Sequence, residues 1–140
     1  MKVRTLTPAG VMKPLGPYSH IAVAGPHIAI SATAGVDPTT GQLAGPDVYA
    51  QASQILRSFQ VLLAEVGASL TSVLHVHVFL LSMDDYEAMN RAYREAFAEH
   101  WPARTVVGVS ALPKTGALVT MNLTAVGDEG LRPAGKAIST

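Results

Sequence analysis

Leu118-Val119-Thr120-Met121-Asn122-Leu123-Thr124-Ala125-Val126 alternates apolar and polar side chains, the period-two signature of a strand whose faces meet different surroundings. Val119, Met121, Leu123 and Ala125 point toward a core, and Thr120, Asn122 and Thr124 point away from it. Upstream, Val73 to Leu81 is apolar and β-branched, with His75 and His77 on alternate positions, and reads as a second strand. Val48, Ala52, Ile55, Leu56, Phe59, Leu62, Leu63 and Val66 recur at intervals of three and four, which predicts a one-sided helix capped by Asp47 and closed by Gly67. Gln51, Gln54, Arg57, Gln60 and Glu65 fall on its solvent side. Tyr86, Met89, Tyr93 and Phe97 predict a second amphipathic helix, opened by a weak capping box at Ser82 and Asp85 and barred from continuing by Pro102. Ile21 to Ala24 and Ile28 to Ile30 flank Gly25-Pro26 as a hairpin, and Thr105 to Val109 precedes a turn around Pro113-Lys114-Thr115-Gly116. The predicted order is β-β-α-β-α-β-β: an α+β fold with both helices on one face of a sheet and the other face uncovered.

The 140 residues fit a single domain, which we place at residues 1–127. Periodicity vanishes over 128–140, where Gly130, Pro133 and Gly135 predict a flexible or partner-draped tail. Hydrophobic residues are 49% of the chain and charged residues 14%, a surplus that predicts a face buried against another subunit. Ten basic and ten acidic residues balance, without a run of Lys or Arg, which argues against a nucleic-acid partner. Cysteine is absent, so thiolate nucleophiles and Cys-ligated metals are excluded. No stretch approaches the ~18 apolar residues of a membrane span, and a cytoplasmic address is the expectation.

Gly16-Pro17-Tyr18-Ser19, Ser31 after a strand, and Asp37-Pro38-Thr39-Thr40-Gly41 resemble the amino-terminal signature of the Rid (YjgF) family. Gly67-Ala68-Ser69-Leu70, Val78-Phe79-Leu80, Asn90, Tyr93, Phe97, Pro102-Ala103-Arg104-Thr105, Leu112-Pro113-Lys114 and Gly116-Ala117-Leu118-Val119 continue the likeness in order, from about Pro14 to Gly127. The resemblance implies a chorismate-mutase-like fold and a homotrimer with sites in clefts between subunits. It also implies hydrolysis of imines and enamines such as 2-aminoacrylate to 2-keto acids and ammonia, as in a 2-iminobutanoate/2-iminopropanoate deaminase, with neither metal nor organic cofactor.

Arg104 is the first candidate, because a guanidinium can clamp a carboxylate with two parallel hydrogen bonds; the family's matching arginine does so. Residues alone favour an ordinary ion pair with an Asp or Glu at the start of a strand, and the motif around Arg104 reverses that reading. Tyr18 can stack on or hydrogen-bond to a planar substrate, or pack on a neighbouring subunit. Ser31, at a strand end, can hold a carboxylate or a water, or simply satisfy the strand. Ala32 replaces the family's glycine and narrows the anion pocket, and Thr33 replaces its common glutamine. Asn90 is expected to bond loop backbone in a structural role. Thr120 stands where deaminating members have an acid/base glutamate, and a hydroxyl can orient water but cannot take its proton at neutral pH. Val106 replaces a common cysteine. His75 and His77 have the i, i+2 spacing of a metal pair but show no third ligand, so they are read as hydrogen-bonded sheet residues. His20 is a candidate replacement proton carrier. Three functional classes follow: an imine hydrolase, a divergent biosynthetic enzyme that guides cyclisation, tautomerisation or decarboxylation, and a non-catalytic ligand-binding or translation-inhibitor-like trimer.

Overall fold

In the computed structural model, which describes residues 2–127, the alternating strand Val119–Val126 (β6) lies inside a six-stranded mixed sheet. The other elements, in chain order, are β1 (Arg4–Leu6), β2 (Ile21–Ala24), β3 (His27–Ala34), α1 (Val48–Glu65), β4 (Val73–Leu80), α2 (Tyr86–Phe97) and β5 (Ala103–Gly108). The sheet order is β1-β2-β3-β6-β4-β5, antiparallel except for the β4–β5 pair. That parallel pair is joined through α2, as a crossover connection requires. The α+β class is as predicted.

The core lies between the helices and one face of the sheet. Phe59, Ile55, Leu62 and Leu63 of α1 and Met89 of α2 meet Ile21, Val76, Val78, Met121 and Leu123 there. Asp47 caps α1 as predicted, its carboxylate accepting from the Ala50 N–H at 2.9 Å. Gly35 lets α1 approach closely: a Cβ there would stand 2.4 Å from the Gln51 carbonyl oxygen. The bare face carries His75, His77, Asn122 and Thr124. Leu74, Val107 and Val126 lie exposed along it, an apolar fringe that fits the predicted surplus.

Several expectations need correction. Arg4–Leu6 adds an unforeseen edge strand on β2, so the order begins β-β-β. Ser31 lies inside β3 rather than at its end, because the strand runs on to Ala34 past an irregularity between Ile30 and Thr33. Gln51 and Gln54, expected on the solvent side of α1, are buried. Gln51 donates to the carbonyls of Gly45 (3.0 Å) and Gly116 (3.3 Å) and accepts from the Leu118 N–H (2.8 Å). It thereby ties α1 to the turn before β6. Ser82 caps a single 3₁₀ turn, Met83–Asp85, and α2 starts only after it. The tail predicted at 128–140 lies outside the described residues.

Candidate functional site

Four of the predicted residues come together. Tyr18, Ser31, Ala32 and Thr120 line one cavity of about 460 Å³, with Met12, Leu15, Pro113 and Lys114 among its walls. β3 and β6 bring Ser31, Ala32 and Thr120 close through antiparallel pairing, with Ala34 directly opposite Thr120. The segment before β2 closes one side. It is held by the buried His20, whose Nε2 donates to the Met12 carbonyl at 2.5 Å. The carbonyl can only accept, so the Nε2 nitrogen carries the proton. Nδ1 of the same ring is buried without a partner. Neither nitrogen reaches the cavity, and His20 reads as a strut rather than a proton carrier.

The Ser31 hydroxyl donates to the Ser19 carbonyl at 2.6 Å, and its N–H donates to the His20 carbonyl at 3.0 Å. Its proton is committed, leaving the oxygen lone pairs to accept. The Tyr18 oxygen accepts from the Leu15 N–H at 3.0 Å, which leaves its own proton for a ligand. Thr120 is buried, at 7% exposure, and its hydroxyl is the polar group on this stretch of β6. No carboxylate is among the cavity's lining residues.

Arg104 does not line this cavity. It pairs across the sheet with the buried Val76 of β4, whereas Thr120 pairs with Phe79, so the two side chains point to opposite faces. Arg104 reaches along the helix side: Nη1 donates to Asn90 Oδ1 at 2.9 Å and Nη2 to the Tyr86 hydroxyl at 3.1 Å. The guanidinium also lies 4.7 Å from the Tyr93 ring centroid, a cation–π contact. Burial pushes the Tyr93 phenol up to about 12, against the opposing pull of Arg104. Both hydrogen-bond partners are neutral, so the charge is oriented without being cancelled, and the group faces a recess of about 270 Å³ lined also by Arg94, Trp101 and Pro102. Asn90 thus bonds a side chain rather than the loop backbone expected for it.

Sequence reasoning gave no role to Met12, Leu15 or Lys114 as cavity walls, nor to Tyr86 as a partner of Arg104. The Leu112-Pro113-Lys114 stretch carried the signal for one wall, since it belongs both to the turn and to the family likeness. His75 and His77 stack at 4.4 Å between centroids and bond Thr105 and Asn122, each at 2.9 Å. Among the described residues no group of three or more His, Asp or Glu converges as a metal site, and no helix is long and apolar enough to cross a membrane.

The family model described as Endoribonuclease L-PSP matches residues 9–127. The solved structure of the YjgF gene product from E. coli aligns with a TM-score of 0.82 at 28% identity, covering 88% of this chain and 98% of that one. The chain belongs to the Rid (YjgF) family. A RutC family protein from Pyrococcus horikoshii is 41% identical over 102 residues, 73% of this chain and 81% of its own length. A human protein named 2-iminobutanoate/2-iminopropanoate deaminase is 33% identical over 111 residues, 79% of this chain and 81% of its own. The name of the human relative supports the general imine-deaminase kind for this Rid protein.

Proposed function

We propose that this Rid protein hydrolyses small carboxylate-bearing imines and enamines to 2-keto acids and ammonia, at sites shared by two copies of the chain within a homotrimer. The observation that carries this reading is the separation of its parts. Arg104 is oriented by neutral partners and left with charge to offer, while the cavity of Tyr18, Ser31 and Thr120 opens elsewhere on the same chain. The bare sheet face with its exposed Leu74, Val107 and Val126 supports association through that face.

In the assembled site Arg104 of one copy grips the carboxylate, and Tyr18 and Ser31 of the next frame the planar carbon–nitrogen unit. A water held on Thr120 attacks the carbon of the protonated imine. The new C–O bond forms as the π pair moves to nitrogen and one water proton passes to solvent; solvent then protonates the amine, and the oxygen lone pair closes the C=O bond as the C–N pair leaves on ammonia and the remaining hydroxyl proton returns to solvent. Thr120 orients the water without accepting its proton. This absence of a carboxylate also favours a second reading, tautomerisation of a reactive intermediate. Thr120→Glu separates the two: deaminase activity that appears only in that variant supports the second.

Mixed assembly tests the shared site. Arg104→Ala and Ala32→Trp are each expected to be inactive on 2-aminoacrylate generated in situ. Dissociated and reassembled together at equal ratio, they should regain about a quarter of wild-type activity, the fraction of interfaces with both halves intact. Confirmed mixed oligomers with no recovery overturn the reading.

A further inference from the structure

The charged lining of the Thr120 cavity has one sign. Lys114 is its one charged side chain, and no acidic residue joins it among the lining residues. Thr120 supplies a neutral hydroxyl to this wall, so nothing on β6 at this point neutralises the lysine. The position of Lys114 is also built rather than loose. Its carbonyl accepts from the Ala117 N–H at 3.0 Å, and Gly116 closes the turn at φ +85°. Gln51 then holds both the Gly116 carbonyl and the Leu118 N–H from inside the core. The lysine is half-buried beside Met12, Leu15, Ala34 and Pro113, apolar walls that strengthen a cation's attraction for an anion.

The cavity is large as well as positive. In one chain, before a second copy closes it, its volume of about 460 Å³ falls in the roughly 300 to 1,000 Å³ range of pockets that enclose small ligands. Arg104, on the reading above, already supplies a cation for one carboxylate. With Arg94 beside Arg104 in its recess, Lys114 in the cavity and no carboxylate in either lining, the site is complementary to a ligand with more than one negative charge.

We propose that the cavity selects dianionic substrates, imino or oxo acids bearing a second carboxylate, and that Lys114 grips this second group. The proposal rests on the shared-site reading for the first carboxylate and adds a specificity-determining residue to it. A dicarboxylate spans from the Arg104 clamp to the ammonium across the apolar floor. A monocarboxylate leaves the lysine unanswered.

Isothermal titration at physiological salt with 2-oxobutanoate and 2-oxopentanedioate as stable probes tests this on the full chain. The dicarboxylate is expected to bind about tenfold tighter, the effect of one charge-assisted hydrogen bond. Lys114→Met should reduce that preference to less than twofold and Lys114→Arg should keep it, while Lys2→Met, a distant surface control, should leave it intact. Equal affinities in the wild type, or a preference that survives Lys114→Met, overturns the dianion proposal. If 2-oxobutanoate still binds and Arg104→Ala abolishes that binding, the shared-site reading stands while this one fails. If neither acid binds, both fail.

Discussion

The two halves of the candidate site are built in opposite ways. The Arg104 half comes from one nearby stretch: Tyr86, Asn90 and Tyr93 on α2 and Arg104 on the strand that follows. The Thr120 half is gathered from segments far apart in sequence, the stretch before β2, β3, the Pro113 turn and β6. The cation is therefore oriented by local side-chain bonds, and the cavity by the register of the whole sheet. Damage to a partner of Arg104 should stay local, whereas damage to the supports of β6 should reach stability and cavity together.

The largest effect is expected at Arg104. Arg104→Ala removes a charge and a fork of donors at once and should lower kcat/KM on 2-aminoacrylate by about a thousandfold, with the urea midpoint little changed. Arg104→Lys, which keeps charge without the fork, should recover only part of that loss. On the other half, Gln51→Leu keeps the volume but leaves the Leu118 N–H and the Gly45 and Gly116 carbonyls without their part-buried partner. It should cost about 2 kcal/mol in urea unfolding and reduce activity as well; normal activity in a destabilised protein would contradict the coupling of α1 to the cavity.

Asn90→Ala should act between these extremes. It frees one side of the guanidinium while Tyr86 holds the other, and kcat/KM should fall about tenfold through misorientation, without the stability loss of Gln51→Leu. Asp47→Ala, which uncaps α1 away from both halves, should cost about 1 kcal/mol and leave the affinity for 2-oxobutanoate unchanged.

The effect confined to alkaline pH concerns Tyr93. Its phenol is raised from 10.0 to about 12 in the folded chain, chiefly by burial. The folded state then holds a proton that the unfolded state releases first, so this contribution is fully present below pH 10 and lost as the pH rises toward 12. The urea midpoint should decline through that window, and Tyr93→Phe should flatten the decline.

The same division explains what the sequence disclosed. Both helices and the central strands follow from side-chain periodicity, which is local and repeats over many residues. Arg4–Leu6 was missed because three mostly exposed residues joined to β2 through backbone pairing show no apolar alternation. Gln51 was misplaced because a glutamine on a helix flank looks solvated until Gly45, Gly116 and Leu118 are brought to it by the fold. The Arg104 motif was plain as a likeness, whereas its partners Tyr86, Asn90 and Tyr93 lie outside that motif and are brought to it by α2. Lys114 was passed over because its surroundings come from β3, β6 and the segment before β2, and no window of sequence contains them all.

Gly35 draws these threads into a single atom's worth of room. Because the backbone of α1 rests where its side chain would be, one methyl group added there would act as a wedge driven between strand and helix. The displaced helix would carry Gln51 with it and slacken the Pro113 turn, so a change with no chemical function of its own should still be legible as altered ligand selectivity.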